Sequence, residues 1–270
     1  MELRELGKTG VMVPEIGIGA WRYSGGVEPL RRGIALGAAL IDTAEVYGTE
    51  DVVGQAVHGC RDRVFIATKV SGAHLRPDEV LRAAETSLKR LGVDTIDLYQ
   101  IHWPGNYVTI AETMGAMESL VDRGLVKYIG VSNFSLAELR NAQAAMKKYP
   151  IVSNQVLYNL NRREIEQDLL PYCQANQITT IAYTPLDSGR LVRQTEYAMS
   201  RQGMPELAAV ASEVQKPMGQ VALNWCISRP GVIAIPKSNS SARVAENCGG
   251  SGWRLSPEQI RMLDDAFLRD

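Results

Sequence analysis

Two patterns of apolar residues alternate along nearly the whole chain. Short continuous runs fall at 16–21 (IGIGAW), 38–42 (AALID), 64–69 (VFIATK), 96–102 (IDLYQIH), 126–132 (VKYIGVS), 151–156 (IVSNQV), 178–183 (ITTIAY) and 232–237 (VIAIPK). Continuous rather than alternating runs fit strands buried on both faces, as in a parallel sheet covered by helices. Between the runs, apolar residues recur at helical spacing. Val80, Leu81, Ala84, Leu88 and Leu91 make one such stripe over residues 77–92, with Pro77 suited to a first turn and Gly92 to a C-terminal stop. Ser135 followed by Glu138 reads as a capping box, and Ser256-Pro257 opens the last helix. Eightfold strand–helix alternation favours an α/β fold, a closed (β/α)8 TIM barrel, although a doubly wound open sheet shares the pattern. The opening LRELGKTGVMVPEIG holds two short apolar stretches around Lys8-Thr9-Gly10, which predicts an N-terminal β-hairpin. No Pro/Gly/Ser-rich linker or low-complexity run divides residues 1–270, so one domain is expected.

Composition narrows the function classes. The chain has 270 residues, 45% hydrophobic and 22% charged, within the size of one barrel. Lys and Arg number 29 against 30 Asp and Glu, so no global field recruits nucleic acid or an anionic membrane. No apolar run reaches the roughly 20 residues of a membrane span, and the N-terminus lacks an apolar signal core. Cys60, Cys173, Cys226 and Cys248 are scattered without a CxxC pair. They read as reduced thiols of a cytoplasmic protein, and no metal site is expected. QVALNWCISRPGV looks like a packing helix, which leaves Trp225 and Cys226 without chemistry.

Active sites of such barrels sit where strands end. Asp42 ends the second run, Tyr47 follows in the next loop, Lys69 ends the third run and His102 the fourth. Taken singly, each has a plain structural reading: a helix cap, a packing ring, a solvated charge, a rim histidine. Together they bring a carboxylate, a phenol, an ammonium and an imidazole to one rim, the arrangement acid–base chemistry requires. A phenol is a poor acid near neutrality, and a nearby Lys69 ammonium is expected to ease its proton loss, with Asp42 holding the lysine.

LIDTAEVYG, ATKV, YQIHWPG, VKYIGVSNF, YNL, IAYTPL and AIPKSNSSARVAEN resemble, in order, the motifs of the aldo-keto reductase superfamily, from Gly17 to about Asn247. The resemblance implies a (β/α)8 barrel that reduces aldehydes and ketones with NADPH. It implies Tyr47 as general acid, Lys69 and Asp42 tuning it, and His102 orienting the carbonyl oxygen. No GxGxxG opens a helix, so a Rossmann site is a weak reading. The resemblance instead implies a dinucleotide (NADPH/NADP+) lying across the barrel mouth along Gly19, Ala20, Trp21 and Asp42. Ser132, Asn133 and Gln155 would bond the nicotinamide amide and Tyr183 would stack on its ring. Thr184, Pro185 and Leu186 would pass the pyrophosphate, where Asp187 and Ser188 depart from the expected pattern by adding an acid. Ile235 and Pro236 would also touch the cofactor, Lys237, Ser238 and Arg243 would clasp the adenosine 2′-phosphate, and Glu246 and Asn247 would contact adenine. Cations flanking a helix start suit a dianionic phosphate.

Trp21, Tyr47, His102 and Trp103, joined by Tyr107, would line the substrate side. The last helix is expected to run from Pro257 nearly to Asp270 with no tail over the pocket. The loop after His102, residues 103–109, is short. These features predict an open mouth and broad substrate acceptance. Partners expected are a small carbonyl substrate, no nucleic acid, no membrane, and a monomeric chain. The competing class is a cofactor-binding regulatory or assembly subunit, of which potassium-channel β-subunits are family examples.

Overall fold

The computed structural model describes residues 1–268. Two short strands, β1 (Leu3–Glu5) and β2 (Met12–Pro14), pair antiparallel as the predicted hairpin. The eight apolar runs become eight parallel strands in sequential order: β3 (Ile18–Gly19), β4 (Leu40–Asp42), β5 (Phe65–Val70), β6 (Ile96–Ile101), β7 (Val126–Ser132), β8 (Ile151–Leu157), β9 (Thr179–Tyr183) and β10 (Val232–Ile235). The first and last strands close the ring. Ile16 bridges Ala234, and Gly17 N and Gly19 N donate to the carbonyls of Ala234 and Pro236 at 2.8 and 3.1 Å. Gly19 permits this seam, because a Cβ there would stand 2.8 Å from the Ile235 carbonyl oxygen.

Around the barrel run α1 (Val27–Ala35), α2 (Glu50–Val57), α3 (Pro77–Leu91), α4 (Ile110–Asp122), α5 (Leu136–Ala145), α6 (Leu169–Ala175), α7 (Glu196–Met199), α8 (Met204–Glu213), α9 (Met218–Ile227), α10 (Ser241–Cys248) and α11 (Pro257–Ala266). Their ends follow local chemistry. Gly92 takes the left-handed conformation that stops α3 (φ 64°), and reciprocal capping boxes open α4, α5 and α11 at Thr109, Ser135 and Ser256. Helix α11 ends at Ala266, short of the expected extent; Asp270 lies outside the described residues. Trp225 is fully buried on α9 and donates Nε1 to Asp264 of α11 at 2.8 Å, a packing role as the sequence implied.

Strand alternation sorts the side chains into two cores. Outward residues such as Ile41, Ile66, Tyr99 and Val131 pack under the helices. Inward residues Leu40, Ala67, Leu98, Ile181 and Ile233 fill the barrel, with Leu6 and Val13 of the hairpin region in the same cluster. Two residues further along β4, β5 and β6 the interior turns polar, at Asp42, Lys69 and Gln100, all buried. That switch positions the site at the C-terminal end of the strands.

Candidate active site

Lys69 is entirely buried at the end of β5. Its Nζ donates to Asp42 Oδ1 at 2.6 Å and to the Thr43 carbonyl oxygen at 2.8 Å. Asp42 Oδ2 in turn accepts from Gln155 Nε2 at 2.7 Å. Tyr47 sits on a 3-10 turn (Glu45–Tyr47) just after β4, and its ring centroid stands 5.1 Å from Lys69 Nζ. The turn is pinned from outside: Glu45 accepts from the Ser71 backbone N–H, and its carboxylate meets His74 Nδ1 at 3.1 Å. The Tyr47 hydroxyl lies 3.2 Å from His102 Nε2, the two rings meeting edge to face. The four residues picked from strand ends therefore converge.

Electrostatics refine one expectation. The Tyr47 phenol is pushed well up from its ordinary value, first by burial and then by the Asp42 charge, with Tyr183 adding to both. Asp42 Oδ1, 2.6 Å from Lys69 Nζ, pairs closely with the ammonium expected to ease that proton loss. Tyr47 is thus held fully protonated, the form a proton donor needs. Burial and the Lys69 charge push His102 down to about 4, so its imidazole is neutral near pH 7. Burial also lowers Lys69 itself, against the opposing pull of Asp42.

A cavity of about 1410 Å³ runs from this cluster across the barrel mouth. Trp21, Asp42, Tyr47, His102 and Trp103 line it around the cluster, and Ser132, Asn133, Gln155 and Tyr183 its middle. Thr184, Pro185 and Leu186 follow β9, Gly19 lies against Ile235, Pro236 and Lys237 at the barrel seam, and Ser238, Arg243, Glu246 and Asn247 complete the lining. Two residues picked from the sequence lie behind the wall: Lys69, and Ala20, whose backbone N–H is spent on the Asp42 carbonyl at 2.8 Å. Tyr107 stands apart, its hydroxyl accepting from Leu75 N at 2.5 Å under the Arg76 guanidinium. Reading sequence distance from His102 as spatial nearness misplaced it. The lining also includes Arg22, Val46, Ser188, Gly189, Val192, Arg193, Asn239 and Ser240, which sequence reasoning missed. Arg22 and Val46 directly neighbour Trp21 and Tyr47, a signal available in the sequence.

The middle of the cavity is interlocked. Asn133, at left-handed φ 61°, donates Nδ2 to the His102 carbonyl at 3.0 Å and accepts from the Tyr183 hydroxyl at 2.9 Å. Ser132 Oγ donates to the Gln155 carbonyl at 2.9 Å. Past β9 the backbone is strained: Thr184, Asp187 and Ser188 all take φ near +50°. The acid at Asp187 is turned into its own loop, accepting from Asn161 Nδ2 at 3.0 Å and facing Arg190 at 3.6 Å. It does not line the cavity, which keeps a negative charge off the path. The described residues contain no cluster of His, Cys, Asp or Glu that could hold a metal, and no helix long and apolar enough to cross a membrane.

The Aldo/keto reductase family model matches residues 15–267. Among curated proteins, methylglyoxal reductase YeaE of Escherichia coli (strain K12) is 39% identical, over 95% of this chain and 92% of the relative. Among solved structures, the thermostable aldo-keto reductase Tm1743, bound to the inhibitor epalrestat, superposes with a TM-score of 0.91 at 38% identity. That match covers 98% of this chain and 100% of the other. An aldo-keto reductase from Klebsiella pneumoniae in complex with NADPH gives a TM-score of 0.89 at 36% identity, over 99% of this chain and 96% of the other. With the family model matched over residues 15–267 and solved relatives sharing the barrel, this chain belongs to the aldo/keto reductase family.

Proposed function

We propose that the protein is an NADPH-dependent reductase of aldehydes and ketones, one barrel unit over residues 1–270 working in the cytoplasm. The observation that carries this reading is the meeting of Tyr47, His102, Lys69 and Asp42 beside a cavity of about 1410 Å³. The residues present fit that cofactor. Amide and hydroxyl groups at Ser132, Asn133 and Gln155 match a carboxamide, and Tyr183 offers a ring face. Lys237, Ser238 and Arg243 beside the start of α10 suit a 2′-phosphate, with Glu246 and Asn247 one helical turn on. When bound, reduced nicotinamide supplies a hydride to the carbonyl carbon.

The chain's own part is to place and protonate the carbonyl. Neutral His102, 3.2 Å from the Tyr47 hydroxyl, defines a point that both can reach by hydrogen bond, where the carbonyl oxygen sits. Tyr47 donates its proton as negative charge develops on that oxygen, and the Lys69–Asp42 pair behind it offsets the phenolate left behind. One hydride at carbon and one proton at oxygen together make the alcohol. Trp21, Val46 and Trp103 stand half exposed around this end, an apolar rim without a closed wall. Such a rim accepts many small aldehydes and holds none tightly, consistent with high-micromolar to millimolar KM on the general enzyme scale of about 1 μM–1 mM.

The test is loss of NADPH absorbance against a panel of aldehydes, ketones, dicarbonyls including methylglyoxal, and sugars. Turnover of several panel members supports the reading. Tight NADPH binding with no turnover of any member favours the regulatory-subunit alternative, and low-micromolar KM for a single substrate contradicts the open rim.

A further inference from the structure

Beneath Asp42 the barrel interior carries a polar side chain that the proposed chemistry does not use. Gln100 is fully buried on β6, one inward position above Leu98. Its Nε2 lies 3.5 Å from Asp42 Oδ2, the oxygen that also accepts from Gln155 at 2.7 Å. Lys69 takes the other oxygen. Gln100 Oε1 accepts from no group among the described residues. An orphaned amide oxygen in a dry interior is unfavourable, and an apolar side chain of the same length would carry no such cost. Space for the glutamine is also specifically made. Gly130 on β7 faces it, and a Cβ there would stand 3.0 Å from Gln100 Cγ while crowding Ser153 Oγ.

We infer that Gln100 is a positioning residue for the Asp42–Lys69 pair. Its amide closes the lower side of Asp42, keeping one carboxylate oxygen on two glutamine amides and the other on Lys69. Without it, Asp42 Oδ2 keeps a single amide, that of Gln155, and one restraint on rotation of the carboxyl is lost. The ammonium, whose other protein acceptor is the Thr43 carbonyl, then follows the carboxylate away from the Tyr47 ring. The kinetic consequence rests on the proposed reductase reading; the geometric one does not.

Two variants test it. Gln100→Met keeps length and removes the donor; kcat is expected to fall about tenfold with KM for NADPH unchanged. Gln100→Glu keeps shape and adds a charge beside Asp42. It is expected to lose more activity near neutral pH and to recover as pH falls, when the new carboxyl takes up a proton and again donates to Asp42. A purely packing role would lower thermal stability without moving the pH profile. If Gln100→Met fails to fold, the pH-dependent recovery of Gln100→Glu decides. A crystal structure of Gln100→Met is expected to show the Asp42 carboxyl rotated and Lys69 Nζ displaced with it from the Tyr47 ring. Asp42 in its original orientation, or wild-type kcat and pH dependence in both variants, overturns the proposal. Should the wild-type protein reduce no carbonyl with NADPH, the reductase reading falls, and the Asp42 orientation still decides the role of Gln100.

Discussion

At the Tyr47 end of the cavity the working side chains are held by one another: Lys69 by Asp42 and Thr43, Asp42 by Gln155, His102 by Tyr47. Most of them sit on strands or directly at strand ends. At the Arg243 end, Lys237 and Arg243 stand exposed, one on the loop after β10 and the other on α10. The first end is a preorganised interior, where removing one group leaves its partners buried and unpaired. The second is a set of exposed cations with no such mutual lock. Under the proposed function, chemistry would concentrate at the locked end, and affinity and cofactor choice would be spread over the exposed one.

The largest expected effect breaks the locked end at its reacting atom. Tyr47→Phe removes the proton donor and should lower kcat by about 10²–10⁴-fold. NADPH affinity, measured by titration of protein fluorescence, should stay within about twofold. Retention of half the wild-type turnover would remove Tyr47 from its assigned role.

Next is the buried charge pair. Lys69→Met leaves Asp42 as an uncompensated buried carboxylate and should destabilise the fold by about 3–5 kcal/mol, read by urea denaturation. A loss well below about 1 kcal/mol, the scale of surface ion pairs, would show that the pair is better solvated than its burial indicates.

A smaller effect is expected at the exposed end. Arg243→Ala should weaken NADPH binding about tenfold while leaving NADH binding and protein stability nearly unchanged, because only NADPH carries the 2′-phosphate. Equal losses for both cofactors would refute a phosphate contact.

The smallest effect sharpens the comparison through pH. His102 is pushed down to about 4, so its charge should not change over the range where free histidine titrates. Activity should show no limb near 6.5 from this residue, and its NMR resonances should titrate near 4. The sign for stability follows. With the folded value below the unfolded one, the unfolded state binds the proton first. The contribution of neutral His102 is therefore complete above 6.5 and is lost as pH falls through that value toward 4. A His102 titrating near 6.5 would mean that the locked end is open to water.

The barrel and the four converging residues Asp42, Tyr47, Lys69 and His102 are largely legible in the sequence, for an identifiable reason. Parallel strands covered on both faces require continuous apolar runs, so all eight could be read directly, and each polar residue that ends one must face the rim. Tyr107 and Ala20 were harder. Both lie near site residues along the chain, but a loop ring can fold back, as Tyr107 does onto Leu75, and a backbone N–H can be consumed by the neighbouring strand, as Ala20 is by Asp42 of β4. The Asp187 acid likewise looked ill placed in the linear order, and three left-handed residues turned it away.

By itself the sequence determined what local rules and residue chemistry control: strand and helix periods, capping boxes, the hairpin and the four reactive groups at strand ends. Only the tertiary structure decided how those groups act on each other. Whether Lys69 acidifies Tyr47 or is neutralised by Asp42 depends on distances of a few ångströms between residues on different strands. Whether His102 carries a charge depends on the water that burial removes. The same holds for Gln100, which reads as one polar residue in an apolar run and becomes meaningful only when the curvature of the barrel brings it under Asp42. Electrostatic energies vary with separation and dielectric, and neither is encoded at any single position in the chain.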